Sequence, residues 1–392
     1  MLQVYTHKSL QEILEKLRKI GREVIAPNAG DVDQKARFPS EALQALKSEK
    51  LLSAYLPQEY GGMGLGISDL AIICETLAHY CGSTAMIYAM HQIQVACMVH
   101  HGQSSNFFRQ YFSELVEKQT LLASATTEIG VGGDLGSSLC AVTVSGATFT
   151  LEKQAPVISY GAHADAILVT CRRSIEAQKN DQVLVVVKKE DCTLKPLSSW
   201  DTLGFRGTCS LGFLLTSQGN ADQIVPAPFA QILSQTMHPV SHLLWGSLWL
   251  GISTDAVERA RSVVRDAARK NPDAPPISAL RLAEVDALLF SMRGGVSETL
   301  CDYHQKLQNN DIDGMESFGF AIRVNNLKVT CSQMLIDIVG KALLICGISG
   351  YKNDSKSSLC RQLRDAYGAS VMVNNDRILN FNASLQTVYK SS

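Results

Sequence analysis

The residues best suited to chemistry form a glycine-rich run from Thr126 to Ser138, TTEIGVGGDLGSS. Four glycines in the seven residues from Gly130 to Gly136 let a backbone turn sharply and approach a ligand closely. Two chemistries are excluded at once. No lysine follows the glycines, so this is not a Walker-type phosphate loop. The spacing G-x-G-G-x-x-G is also not the G-x-G-x-x-G that opens a dinucleotide-binding βαβ unit. The nine histidines include the adjacent pair His100-His101 but no H-E-x-x-H, so no zinc spacing emerges. Eleven cysteines without a C-x-x-C pair read as reduced, mostly core thiols of a cytoplasm-like compartment.

The elements that must position this loop follow from composition and periodicity. The chain has 392 residues, 46% of them hydrophobic and 19% charged, enough for two or three domains around a large core. A net charge of −1 provides no whole-chain field to attract nucleic acid or an anionic membrane. The longest apolar stretches, such as Leu243 to Ile252, are too short and interrupted to span a bilayer, so no membrane span is expected. The N-terminal MLQVYTHKSLQEIL has no apolar signal core and carries no readable secretory or organellar address.

Residues 1–117 read as a helical domain. Ser9 to Glu12 forms a capping-box pattern ahead of Ile13, Leu14, Leu17 and Ile20, and a second helix is expected after Pro39-Ser40. Further helical spacing runs through SDLAIICETLAHY and STAMIYAMHQIQVACMVHHG, with a break at Cys81-Gly82. The period then changes. AVTVSGATFTLEK, DAILVTCRR and QVLVVVKKED are short β-branched runs, which predict a small antiparallel barrel or sandwich over 118–225. Helical periodicity returns over 226–392 in three long amphipathic stretches, interrupted by NPDAPP, and predicts a four-helix bundle. The fold class is α+β, in the order helices, β module, bundle.

On that layout four motifs become recognisable. LLSAYLPQEYGGMGLG resembles the L-x-x-P-E-x-Y-G-G-x-G turn of the acyl-CoA dehydrogenase superfamily, and TTEIGVGGDLGSS resembles its T-E-P-x-A-G-S-D loop. WDTLGFRGTCS and ICGISGYKND…RQLRDAYG resemble two further segments, and the match runs in order to about residue 375. The resemblance implies that the glycine loop borders the flavin ring of FAD, at the seam between β module and bundle. Small residues admit a flat ring, and backbone N–H groups can bond flavin N1, O2 or N5 and tune its reduction. By that resemblance Ser124, Thr126 and Thr127 line the flavin, with Gly132 and Gly133 at the mouth shared with substrate; Gly133 replaces the family's usual Ser. QAPVISYGAHADAILV resembles the segment that places a hydroxyl near flavin N5, here Ser159, while Val157 stands where a Trp usually flanks the ring. The far end of FAD is gripped in the family by a neighbouring subunit, which implies Arg269, Gly347, Gly350 and Tyr351, and a homotetramer or dimer.

The family's dehydrogenases remove an α-proton from an acyl thioester and pass the β-hydride to flavin N5, which needs a carboxylate as base. The position nine residues after Arg364 is Val373, followed by Asn374 and Asn375, and the alternative position ten residues before Gly251 is Ser241. Neither holds a carboxylate. Candidates for the base are therefore His242, His91 and Asp376, with Asn374 and Asn375 resembling a polar tip that could hold a flavin (hydro)peroxide or bind the FAD chain. Three functions remain open. The first is an FAD-dependent dehydrogenase of acyl-CoA or another acyl thioester, with electron-transfer flavoprotein as a possible acceptor. The second is a flavin monooxygenase on the same scaffold, and the third a non-catalytic flavin- or acyl-binding member.

Overall fold

The computed structural model describes residues 6–132, 134–271 and 274–389. The N-terminal block contains α1 (Leu10–Ile20), α2 (Ala26–Gln34), α3 (Ser40–Ser48), α4 (Ile67–Tyr80), α5 (Gly82–His101) and α6 (Asn106–Lys118). The capping box anticipated at Ser9 does not form. Ser9 Oγ lies 2.8 Å from His7 Nδ1, and its side chain makes no bond to the first turn of α1. The break at Cys81 does form, because Cys81 adopts extended backbone between α4 and α5.

Seven strands follow: β1 (Leu122–Ala125), β2 (Thr143–Ser145), β3 (Thr148–Ala155), β4 (Ala166–Arg172), β5 (Gln182–Lys188), β6 (Cys192–Pro196) and β7 (Phe213–Asn220). They form two sheets, one ordered β1-β4-β5 and the other β2-β3-β7-β6. The first departs from the all-antiparallel expectation. β1 pairs parallel to β4, with Leu122 opposite Ala166, while β4 and β5 are antiparallel, with Ile167 opposite Val187. β4 and β5 are apolar along almost their whole length because both faces are covered. β3 instead alternates exposed and buried residues, the pattern of a strand with one wet face.

The C-terminal part contains α7 (Phe229–Ile232), α8 (His238–Lys270), α9 (Ser278–Gln308), α10 (Ile312–Glu316), α11 (Phe318–Cys346), α12 (Ile348–Tyr351), α13 (Cys360–Val371) and α14 (Asn375–Gln386). α8 is buried without interruption from Pro239 to Ser253, because α4 and α5 cover one side and α9 and α11 the other. Gly251 makes the α4–α8 crossing possible: a Cβ there would lie 2.2 Å from the Glu75 carbonyl oxygen. α11 is long and apolar enough to cross a membrane by length and composition, but it packs along α8 and α9, with half of its most apolar window buried.

Two motifs lock the β module to the bundle. Asp365 of RDAYG accepts a hydrogen bond from the Phe205 N–H of LGFRG at 2.6 Å, and a Cβ on Gly204 would strike the Arg364 carbonyl at 2.2 Å. Burial pushes the Asp365 carboxyl up to about 6. Arg364 also pairs with Asp33 of α2, so one turn of α13 ties all three parts of the chain together.

Candidate functional site

The glycine loop is built on β1. Ala123 and Ala125 point into the core, so Ser124 and Thr126 share the opposite, half-buried face by strand alternation. Neither hydroxyl has a hydrogen-bond partner on its own account among the described residues; only the Thr126 carbonyl is engaged, by Thr170 Oγ1 at 3.4 Å. Thr127 Oγ1 donates to the Val157 carbonyl at 3.2 Å, which ties the loop to the segment carrying Ser159. Ser159 Oγ accepts from Ser210 at 2.9 Å, and no acceptor for its own proton occurs among the described residues.

Gly130 and Gly132 have φ of +96° and +61°, which explains the glycines by backbone conformation. A Cβ on Gly132 would meet nothing within 4 Å, so the loop is open on that side. Gly133 lies outside the described residues. Val157, where a Trp was expected by resemblance, is 38% exposed and leaves the mouth uncovered.

Two anchors of this loop were not read from the sequence. Glu128 is buried and accepts from Ser138 Oγ at 2.6 Å, Cys140 N at 2.6 Å and Leu139 N at 3.2 Å, with Lys153 Nζ at 3.8 Å. It folds the loop back on itself from below. A lone acid beside a glycine run could have signalled this, since backbone N–H groups in turns seek an anion. Arg377 of α14 donates to the Gly132 carbonyl at 3.2 Å and lies 3.6 Å from Asp134. The loop and the turn before α14 therefore face each other across the seam.

That turn is strained and polar underneath. Val373, at the position where a base was sought, has φ of +46°, rare for a β-branched residue. Asn374 caps α14 by accepting from Asp376 N at 2.8 Å, and Asp376 itself is exposed, pointing away from the buried network. The buried Lys328 of α11 donates to the Val373 carbonyl at 2.9 Å and to Asn375 Oδ1 at 2.7 Å. Asn375 also bonds Ser332 at 3.0 Å, so its amide is engaged within the protein and not offered to a cofactor. Lys328 makes no ion pair among the described residues and sits 5.9 Å from the centre of the Trp249 ring. Burial brings its ammonium down to about 8.

His242 lies on the face of α8 that runs from His238 to Trp249. Its Nδ1 is 3.2 Å from the Val324 carbonyl, so Nδ1 carries the proton; Nε2 has no partner among the described residues. Burial, with His238 beside it, holds its pKa well below the ordinary value, so the ring is neutral near pH 7. The indole N–H groups of Trp245 and Trp249 on the same face are buried without an acceptor.

His91 proves to be a core clamp. It is 1% exposed, with Nε2 2.7 Å from the Leu52 carbonyl and Nδ1 accepting from Leu122 N at 3.0 Å. Both ring nitrogens are spent on backbone, which leaves no lone pair for proton transfer. The residues assigned to the far end of FAD stand apart from the loop. Arg269 is exposed and pairs with Asp266 at 3.2 Å, while Gly347 ends α11 with φ of +57°. Gly350 is explained by packing, since a Cβ there would lie 2.7 Å from Cys346 Cβ.

A family model described as acyl-CoA dehydrogenase, N-terminal domain, matches residues 7–119. Cyclohex-1-ene-1-carbonyl-CoA dehydrogenase of Geobacter metallireducens is 26% identical over 359 residues, covering 90% of this chain and 91% of that protein. Among solved structures, butyryl-CoA dehydrogenase from Megasphaera elsdenii superposes with a TM-score of 0.84 at 18% identity, covering 98% of this chain and 100% of that one. Dibenzothiophene monooxygenase from a Paenibacillus species superposes with a TM-score of 0.78 at 14% identity, covering 97% and 98%. The fold thus serves more than one chemistry.

Proposed function

The chain belongs to the acyl-CoA dehydrogenase superfamily, and from that premise we propose that it is a flavin-dependent oxidoreductase holding FAD at the seam and an acyl thioester such as acyl-CoA beside it. The observation that carries this reading is the donor-lined, open face formed by β1 and the glycine loop. Ser124, Thr126 and the Ser159 proton have no protein acceptor there, and Gly132 adds no side chain. A flat ring fits such a face, because small residues leave room and hydroxyls can bond its edge. When bound, the flavin supplies hydride acceptance.

The remaining work falls to the chain. Glu128 folds the loop back on itself, Arg377 holds it against α14, and Lys328 holds the 373–375 turn. His242 Nε2 is the uncommitted nitrogen on the α8 face, but a neutral imidazole with so low a pKa is a weak base. It orients a donor better than it abstracts a proton. Around the turn from the end of α11 into α12, Leu344, Ile348 and Tyr351 are 66%, 69% and 70% exposed, which supports a second copy of the chain covering Gly347 and Gly350. The test is anaerobic mixing of the FAD-loaded protein with acyl-CoAs of varied chain length. Bleaching by at least one is expected; bleaching by dithionite alone rejects the thioester.

A second reading is favoured by Val373 and Ser241, which leave the seam without a carboxylate at either position. On that reading the same open face holds reduced flavin and a substrate that reacts with oxygen. Such a protein purifies colourless and consumes oxygen when supplied with reduced flavin. A tightly bound yellow cofactor counts against it.

A further inference from the structure

Two cysteines stand side by side where the chain returns from the glycine loop to β4. The Arg172 N–H donates to the Cys140 carbonyl at 2.8 Å and the Val142 N–H to the Arg172 carbonyl at 3.0 Å, which makes Ala141 and Arg172 partners in a short parallel bridge. One residue earlier on both segments, Cys140 therefore lies opposite Cys171 of β4. In-register neighbours in a parallel pair project to the same face, and adjacent strands run about 4.8 Å apart. Disulfides join α-carbons separated by about 4.4–6.8 Å, so the backbone already holds this pair within bonding range. Both thiols are free in this structure.

The surroundings favour reaction at one sulfur over the other. Cys171 is fully buried, whereas Cys140 keeps 7% of its surface and follows the exposed Leu139. Beside the pair lies Lys153 of β3, whose buried Nζ donates to the Thr170 carbonyl at 2.6 Å and to Thr170 Oγ1 at 3.0 Å. Glu128 stands 3.8 Å from that ammonium and accepts from Ser138 Oγ and from the backbone N–H groups of Leu139 and Cys140. A hydrogen bond from the Cys171 thiol, with Lys153 close by, holds the Cys140 pKa below the ordinary thiol value. The same pairing, with burial, pushes Cys171 well above it. A thiol that ionises readily, with a second thiol in reach, is the arrangement that peroxide-sensing pairs use.

We propose that Cys140 and Cys171 are a reversible redox site that hydrogen peroxide converts to a disulfide, stapling the returning end of the glycine loop to β4. The Cys140 thiolate attacks one peroxide oxygen and the O–O bond breaks. The departing hydroxide takes up the proton that Cys140 gave off and leaves as water, and Cys140 becomes a sulfenic acid. The Cys171 sulfur then attacks the Cys140 sulfur. The S–S bond forms, the S–O bond breaks, and the hydroxyl leaves with the Cys171 proton as a second water. Each sulfur gives up one electron, and the peroxide takes both. A dithiol reductant reverses the change by thiol–disulfide exchange. The outgoing end of the loop is tied already, by Thr127 to the Val157 carbonyl, so the bond fixes the second of its two feet.

The test treats the folded full chain with hydrogen peroxide, blocks the remaining thiols with N-ethylmaleimide, and maps the products by mass spectrometry without reduction. A peptide pair joined through Cys140 and Cys171 is expected, and dithiothreitol should release it. Its formation should outpace oxidation of Cys192 and Cys301 at least about 10-fold, although both of those are more exposed. In Cys171→Ala the reaction should stop at a Cys140 sulfenic acid that dimedone traps, and in Cys140→Ala the Cys171 thiol should stay reduced. Three results overturn the proposal: Cys140 and Cys171 remaining unlinked while the more exposed thiols oxidise, a link that appears only after the chain is denatured, or Cys171 oxidising in Cys140→Ala as fast as in the wild type. The wild-type map decides the question by itself if a buried variant fails to fold. Neither cysteine takes part in the proposed flavin chemistry, so the result is independent of that reading.

Discussion

The α5–β1 junction and the α8–α11–α14 seam both bury a titratable side chain, His91 in one and Lys328 in the other, and the two are satisfied differently. At the junction, His91 is fully spent, with one ring nitrogen on Leu52 and the other on Leu122, although Oε1 of the adjacent Gln92 is buried without a partner. At the seam, Lys328 is buried without a counter-ion, two indole N–H groups lack acceptors, and Val373 is held in left-handed backbone. A satisfied buried network rigidifies a core, whereas a network with spare donors keeps unspent capacity for something the chain does not itself supply. The comparison separates a histidine whose two ring nitrogens are both engaged from a lysine buried without a counter-ion. Burial alone does not distinguish them.

The largest effect expected is on chemistry at the seam. Val373→Glu places a carboxylate where the turn meets the seam, and flavin bleaching by an acyl-CoA substrate should rise at least about 100-fold in stopped-flow absorbance. An unchanged rate would mean that the turn does not face the reacting carbon. At the junction, His91→Leu leaves the Leu52 carbonyl and the Leu122 N–H unpaired, and stability in urea should fall by about 3 kcal/mol. A loss below about 1 kcal/mol would erase the contrast between the two regions.

The pH dependence sharpens it further. Burial lowers the folded His91 pKa to about 4. Between that value and about 6.5 the unfolded chain binds the additional proton, so stability from this group is present at neutral pH and is lost on acidification, by up to about 3 kcal/mol. Asp365, raised to about 6, works in the opposite direction, because its folded form holds the proton longer. The measurement is therefore the difference between the wild type and His91→Gln across pH 4 to 7 (approximate limits), in which the Asp365 contribution cancels. The smallest effect is Val373→Asn. Asn tolerates left-handed backbone, so unfolding experiments should show a gain of about 1 kcal/mol. A loss would mean that the valine side chain contributes more through packing than the strain costs.

Much of the fold was legible because its signals are local. The start of α3 after Pro39, the break at Cys81 and the continuous apolar runs of β4 and β5 can each be read within a dozen residues. The parallel pairing of β1 with β4 could not be, since four residues carry too little pattern to state a partner. The Ser9 cap failed for a different, local reason: His7, two residues away, competes for the same hydroxyl. In the site, the glycine loop and the absence of a carboxylate at Val373 stand in the sequence itself. The roles of Glu128, Lys328 and Arg377 do not, because each depends on groups it meets only after folding.

By itself, the chain's order of residues determined the succession of helices, strands and bundle, the place of the glycine-rich loop, and which side chains are chemically able to act. Those are properties of neighbours, set by periodicity and by residue type. Only the tertiary structure decided which titratable groups are used up and which are spare. Hydrogen-bond satisfaction is decided by contacts across tens to hundreds of positions, such as His91 with Leu52 or Lys328 with Asn375, and the linear text contains no distance between them.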